Sequence, residues 1–190
     1  RRYLQRMIRG KDLPPAHKVC YNRKGNEENV MLTHPFEPVF TSRSRILILG
    51  SFPSVKSREN GFYYGHPQNR FWRVMAFLMN AKTPASVDEK IELLDRGGIA
   101  LWDAAVSCDI VGSLDSHLRN VRPTDLSIIF SSAPIQAVFA NGQTAYRLYH
   151  RFDENLFDVP CAALPSTSPA NAAFTLDKLC AAWFEALEPY

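Results

Sequence analysis

The 190-residue chain has only four cysteines, Cys20, Cys108, Cys161 and Cys180, which form no C-x-x-C pair and have no histidine at metal-ligand spacing. No zinc or iron–sulfur site is expected, and no cofactor of any other kind is implied. The sequence also lacks an N-terminal apolar h-region and any apolar run of membrane-spanning length. Nothing in it marks export or insertion, so a cytoplasmic or otherwise intracellular protein without a membrane partner is expected. Internal repeats and polar low-complexity tracts are absent as well.

What is present suits one well-buried core, since 46% of the 190 residues are hydrophobic, and a chain of this length is short for two domains. The formal charge of +3 is mild but uneven: Arg1, Arg2, Arg6, Arg9, Lys11, Lys18, Arg23 and Lys24 face Asp12 alone in the first 24 residues. Residues 1–33 are expected to form a basic, partly disordered extension, either a solvated tail or an arm for a polyanion. Residues 34–190 are expected to form a single domain. The chain opens on Arg1 rather than Met, as a fragment or processed product does.

Apolar strand-like runs alternate with helical periods, which predicts an α/β fold of three layers, α/β/α, around a central, mainly parallel four-stranded sheet. The predicted strands are Ile46 to Leu49, Ile99 to Trp102, Ile135 to Ala140 and Val159 to Leu164. Phe71, Val74, Met75 and Leu78 recur at helical spacing after Asn69. Ser86 as N-cap, Glu89 three residues on and the Gly97-Gly98 stop bracket a second helix. Asp125 to Ser131, Gln143 to Tyr149 and Leu176 to Leu187 also read as helices, and Gly112 to Pro123 as a turn-rich stretch. Right-handed crossovers put the carboxyl ends of parallel strands on one side. Four loops therefore converge there: 50 to 68, 103 onward, Asn141-Gly142, and 165 to 169.

The loop after Gly50 combines small residues that expose backbone amides with Tyr63, Tyr64 and a carboxamide, Asn69, at the mouth of a helix. Aromatic rings beside amide donors suit a flat heterocycle stacked on its face and hydrogen-bonded along its edge. Core packing for Tyr63, Phe71 and Trp72, and an N-cap role for Asn69, stand beside that reading. The run Pro165-Ser166-Thr167-Ser168-Pro169 offers hydroxyls and amides of the kind that position a phosphodiester.

Gly50-Ser-Phe-Pro-Ser, then His66-Pro-x-Asn69-Arg-Phe-Trp72, and the late Pro165-Ser-Thr-Ser-Pro together resemble the uracil-DNA glycosylase superfamily, and within it most of all the DNA-deoxyinosine, or hypoxanthine-DNA, glycosylases. The resemblance runs from about His34 to the C-terminus. It implies hydrolysis of the N-glycosidic bond of a flipped, deaminated base in double- or single-stranded DNA by a monomeric, monofunctional enzyme. The resemblance implies catalysis by Asn69, a base pocket of Gly50, Ser51, Phe52, Pro53, Tyr64, His66 and Asn141, and backbone contacts from Ser166, Thr167 and Ser168. Mismatch-specific relatives carry a catalytic Asn where this chain has Phe52, and other branches carry an Asp in the same loop, which has none here. The late loop also lacks the histidine that begins it in the uracil-specific branch.

The chemistry asks for a water oriented at C1′ and donors where charge builds on the base. On that reading the Asn69 oxygen accepts from the water, the amides of Ser51 and Phe52 face the base, and Tyr64 stacks on it. His66 and Asp103 are alternative acid–base groups, each with a structural reading as loop donor or helix cap. His117 and His150 have no supporting context, and Lys56 is the only lysine near the motifs. A mismatch-type uracil enzyme, a catalytically silent nucleic-acid-binding module and a free-nucleoside hydrolase remain alternatives.

Overall fold

The computed structural model describes residues 31–110 and 118–190; most of the expected basic extension, Cys20 and His117 lie outside the described residues. Four parallel strands form the central sheet in the order β3-β2-β6-β7, with β2 at Ile46–Gly50, β3 at Ile99–Asp103, β6 at Ala137–Asn141 and β7 at Cys161–Leu164. Ile46, Leu47, Ile48 and Leu49 are all buried, as a strand covered on both faces requires. The chain leaves β2 toward β3 on one side and later returns to β6 on the other. Right-handed crossovers in opposite directions put helices on both faces, so the predicted fold class is observed.

The order of the strands also locates the crevice. Where consecutive connections diverge from a central strand, the carboxyl ends of neighbouring strands are left uncovered. Here those ends are Gly50 on β2 and Asn141 on β6. The crossover from β2 runs through α1 (Val55–Glu59), α2 (Phe71–Leu78) and α3 (Val87–Arg96). The capping box predicted for α3 is present, with Ser86 Oγ accepting from Glu89 N and the Glu89 carboxylate accepting from Ser86 N. After α4 (Ser127–Phe130) and β6 come α5 (Gln143–Phe152), β7 and the closing helix α6 (Leu176–Leu187).

Phe71, Trp72 and Tyr63 are core residues, as the structural reading had it: Phe71 is fully buried and meets Trp183 of α6 edge-on at 5.9 Å.

Three features differ from the expectations. Beside the parallel sheet stands an antiparallel one, β1-β4-β5, built from β1 (Met31–Thr33), β4 (Ala105–Ile110) and β5 (Leu118–Pro123). Residues 118–123, expected within a turn-rich stretch, pair with β4 as a strand with bulges. Met31–Thr33 cross the expected boundary at residue 34 and pair with 107–109. The first loop also contains a helix, α1, started by Ser54, whose Oγ accepts from Ser57 N at 3.2 Å.

Candidate active site

Every residue selected from the sequence lines one cavity of about 640 Å³ above Gly50 and Asn141. The chain reaches it by local devices. Within the first loop, Ser57 Oγ accepts from Gly65 N at 3.1 Å and Asn60 Nδ2 donates to Gly65 O at 2.6 Å. These bonds turn the backbone at Tyr64, which adopts φ +52°. The Tyr64 ring then stacks on Phe71, with centroids 3.9 Å apart and planes at 22°. The expected aromatic platform is a backed pair, anchored through Phe71 in the core.

Asn69 sits at the mouth of α2, where its Oδ1 accepts from Phe71 N at 3.0 Å, which fixes the orientation of the amide because a backbone N–H donates only to oxygen. The same oxygen accepts from Thr167 Oγ1 at 3.0 Å, and Thr167 in turn accepts from Asn141 Nδ2 at 2.9 Å and donates its backbone N–H to Asn141 Oδ1 at 2.9 Å. A directional chain Asn141 to Thr167 to Asn69 thus joins three loops. Two donors occupy the oxygen that was expected to hold the water. The amide's remaining group is Nδ2, a donor without an acceptor among the described residues, and Asn69 lines the cavity.

Thr167 is likewise placed differently from the expectation. It is fully buried and its hydroxyl is engaged on both sides, so it is an internal strut rather than a phosphate contact. Ser166 and Ser168 remain half-buried at the cavity, each hydroxyl accepting an amide within the loop, from Ser168 N at 3.2 Å and Ala170 N at 3.3 Å. The Asn141 side chain is directed at Thr167, so its place in the base pocket is that of a support. Phe52 lines the cavity, yet its ring is buried in a small apolar cluster with Ala104, Ala105, Cys108 and Leu148. His66 Nδ1 accepts from Gln68 N at 3.1 Å, leaving Nε2 for the cavity.

At the floor, Asp103 lies beside Gly50, its partner across β2 and β3. A Cβ at position 50 would come within 2.0 Å of Asp103 Oδ1, so only glycine fits. Gly142, at φ +99°, similarly admits Ser166 at 3.0 Å from where a Cβ would stand.

The family model of the uracil DNA glycosylase superfamily matches residues 37–188. The chain belongs to that superfamily. This DNA glycosylase is 33% identical over 110 residues to a protein of Methanosarcina barkeri named hypoxanthine DNA glycosylase, covering 57% of this chain and 70% of that one. A Methanosarcina acetivorans protein of the same name is 29% identical over 150 residues, 78% of this chain and 94% of the relative. A solution NMR structure from M. acetivorans, described as a candidate uracil DNA glycosylase, superposes with a TM-score of 0.69 at 29% identity, over 84% of this chain and 99% of that one.

Two residues of the glycosylase were given no role from the sequence. Arg70 holds the final loop: its backbone N–H and Nε donate to Thr167 O at 3.1 and 3.2 Å, and its terminal nitrogens reach the carbonyls of Ser168, Asn171 (3.0 Å) and Phe174. Its place next to Asn69 in the motif was the available signal. His34 donates from Nε2 to Asp103 Oδ2 at 2.9 Å across 69 residues of sequence, and no local pattern announces that contact.

Proposed function

We propose that this glycosylase removes hypoxanthine from deoxyinosine in DNA and leaves an abasic site. The observation that carries the proposal is the locked carboxamide of Asn69, which presents a donor to a cavity lined by Tyr64, His66 and the Gly50–Pro53 loop. The name carried by the two relatives supports hypoxanthine as the base. So does Phe52, whose buried ring stands where mismatch-specific uracil enzymes carry a catalytic Asn.

The base enters by flipping, which costs a few kcal/mol and least where pairing is already weakened, as at a deaminated base. Tyr64 stacks on it, and amides of the Ser51–Phe52 segment and the Asn69 Nδ2 donate to the departing heterocycle, where negative charge develops. Asn69 therefore acts through its nitrogen, since its oxygen is held by Phe71 N and Thr167. Ser166 and Ser168 meet the DNA backbone through the loop that Arg70 fixes.

The enzyme acts as a monomer by hydrolysis alone. A lyase step needs a desolvated amine, and Lys56, the one lysine lining the cavity among the described residues, is 54% exposed and paired with Glu59 at 2.7 Å.

The test is single-turnover release of free base from duplexes carrying one deoxyinosine, one deoxyuridine or neither. Faster release of hypoxanthine supports the proposal; faster release of uracil keeps the family and overturns the substrate.

A further inference from the structure

Hydrolysis of an N-glycosidic bond needs an acceptor for the water as well as donors for the base, and Asn69 presents the cavity only a donor. Among the described residues that line the cavity, Asp103 is the only carboxylate. We propose that Asp103 is the catalytic acceptor that orients the attacking water, and that His34 is the residue that positions it. The proposal rests on the reading that this site hydrolyses an N-glycosidic bond, and it is indifferent to which base is removed.

Three observations carry it. First, Asp103 is 4% exposed, at the end of β3, and no lysine or arginine among the described residues lies within ion-pair distance of it. A buried carboxylate without a cationic partner is a burden that a purely structural position would shed. The helix-cap role does not apply, because β4 follows at Ala105 rather than a helix.

Second, its two oxygens are differentiated. Oδ2 accepts from His34 Nε2 at 2.9 Å, while Oδ1 faces the place where Gly50 lacks a side chain, beside the Tyr64 hydroxyl, and Asp103 lines the cavity.

Third, His34 is built to hold that geometry. Its Nδ1 accepts from Phe36 N at 3.1 Å, which puts the ring proton on Nε2, toward Asp103. The rings of Phe36, Phe52 and Tyr63 close around it at centroid distances of 5.6, 5.9 and 5.8 Å. Pairing of β1 with β4 delivers it, through His34 N donating to Val106 O at 2.8 Å.

In the reaction, a water held by Asp103 Oδ1 adds its oxygen to C1′ as the C1′–N bond breaks and that bond's electron pair leaves with the base. The water's proton passes to Asp103 and on to solvent, and the base takes up one proton from solvent. The products are the abasic sugar and the neutral base. A fixed negative charge near C1′ also favours the oxocarbenium-like transition state.

The experiment compares single-turnover base release from deoxyinosine and deoxyuridine duplexes by the wild type, Asp103→Asn, Asp103→Glu, His34→Gln and the Asp103→Asn/His34→Gln double variant, with duplex affinity and thermal unfolding recorded for each. Asp103→Asn keeps an oxygen for the His34 N–H and is expected to fold and to bind duplex like the wild type, but to release base at least about 10²-fold more slowly. Asp103→Glu, with the carboxylate moved by one methylene, is expected to be slow as well. His34→Gln is expected to slow release less than Asp103→Asn and to add nothing in the double variant. In Asp103→Ala, added formate is expected to restore part of the rate, which a structural role would not allow.

Release by Asp103→Asn at the wild-type rate overturns the assignment, as does a loss of rate matched by an equal loss of affinity without formate rescue. If the wild type releases neither base, the hydrolytic reading fails and takes this inference with it. If it releases either base and Asp103→Asn does so equally well, the inference alone fails.

Discussion

Asn69 Oδ1 is filled by two donors, Phe71 N and Thr167 Oγ1, each at 3.0 Å. The motif carries the residue, but which atom of its amide is left unbonded is set by Thr167, 98 positions away. Thr167→Val would remove one of those donors and strand Asn141 Nδ2. It is expected to lower stability by roughly 1–3 kcal/mol and to slow base release more than it weakens duplex binding, as read by thermal unfolding and single-turnover kinetics. Arg70 behaves as a clamp for the same loop. Arg70→Lys is expected to fail to rescue the activity lost in Arg70→Ala, because one ammonium cannot replace a planar fork that reaches the carbonyls of Thr167, Ser168, Asn171 and Phe174. Recovery of near-wild-type turnover by the lysine variant would show that only the charge matters.

At the level of elements, the parallel sheet and its helices were legible because each carries a strong local signal. The strand β2 is a continuous apolar run, and α3 has both a capping box and a glycine stop. Ser86→Ala should therefore lower stability by about 1 kcal/mol and leave turnover unchanged, since α3 contributes no residue to the cavity. The antiparallel sheet was hidden for equally physical reasons. β4 follows β3 with only Ala104 between them, β5 is a largely exposed Leu-Arg-Asn-Val-Arg-Pro segment, and β1 has three residues. None has a periodicity long enough to stand out, and their pairing is set by partners distant in the chain. That sheet delivers His34, so its contact with Asp103, unlike those of Arg70 at the start of α2, is built by elements that leave no local signal.

For the whole molecule, pH and salt separate folding from function. Burial, reinforced by the nearby charge of Asp125, pushes the Asp153 carboxyl up from its ordinary 3.8 to about 6. The folded chain thus binds this proton more tightly than the unfolded one. Its contribution favours folding at pH below about 4 and is lost as pH rises through about 6. Asp153→Asn is expected to be more stable than the wild type by roughly 1–3 kcal/mol at pH 7.5, with the difference shrinking toward pH 4.5 in thermal unfolding. Duplex affinity should fall as salt rises, as counterion release requires; a salt-independent Kd would favour a free-nucleoside substrate. The central claim is that a fixed cleft at the divergence of β2 and β6 excises a base through the nitrogen of Asn69. Single-turnover hypoxanthine release by the wild type, Asn69→Ala and Asn69→Asp tests it most directly, because the aspartate keeps the oxygen that caps α2 and puts a charged acceptor where the donor stood. The account predicts that both variants bind duplex yet release base about 10²-fold more slowly or worse. Wild-type-like release by either variant would contradict it.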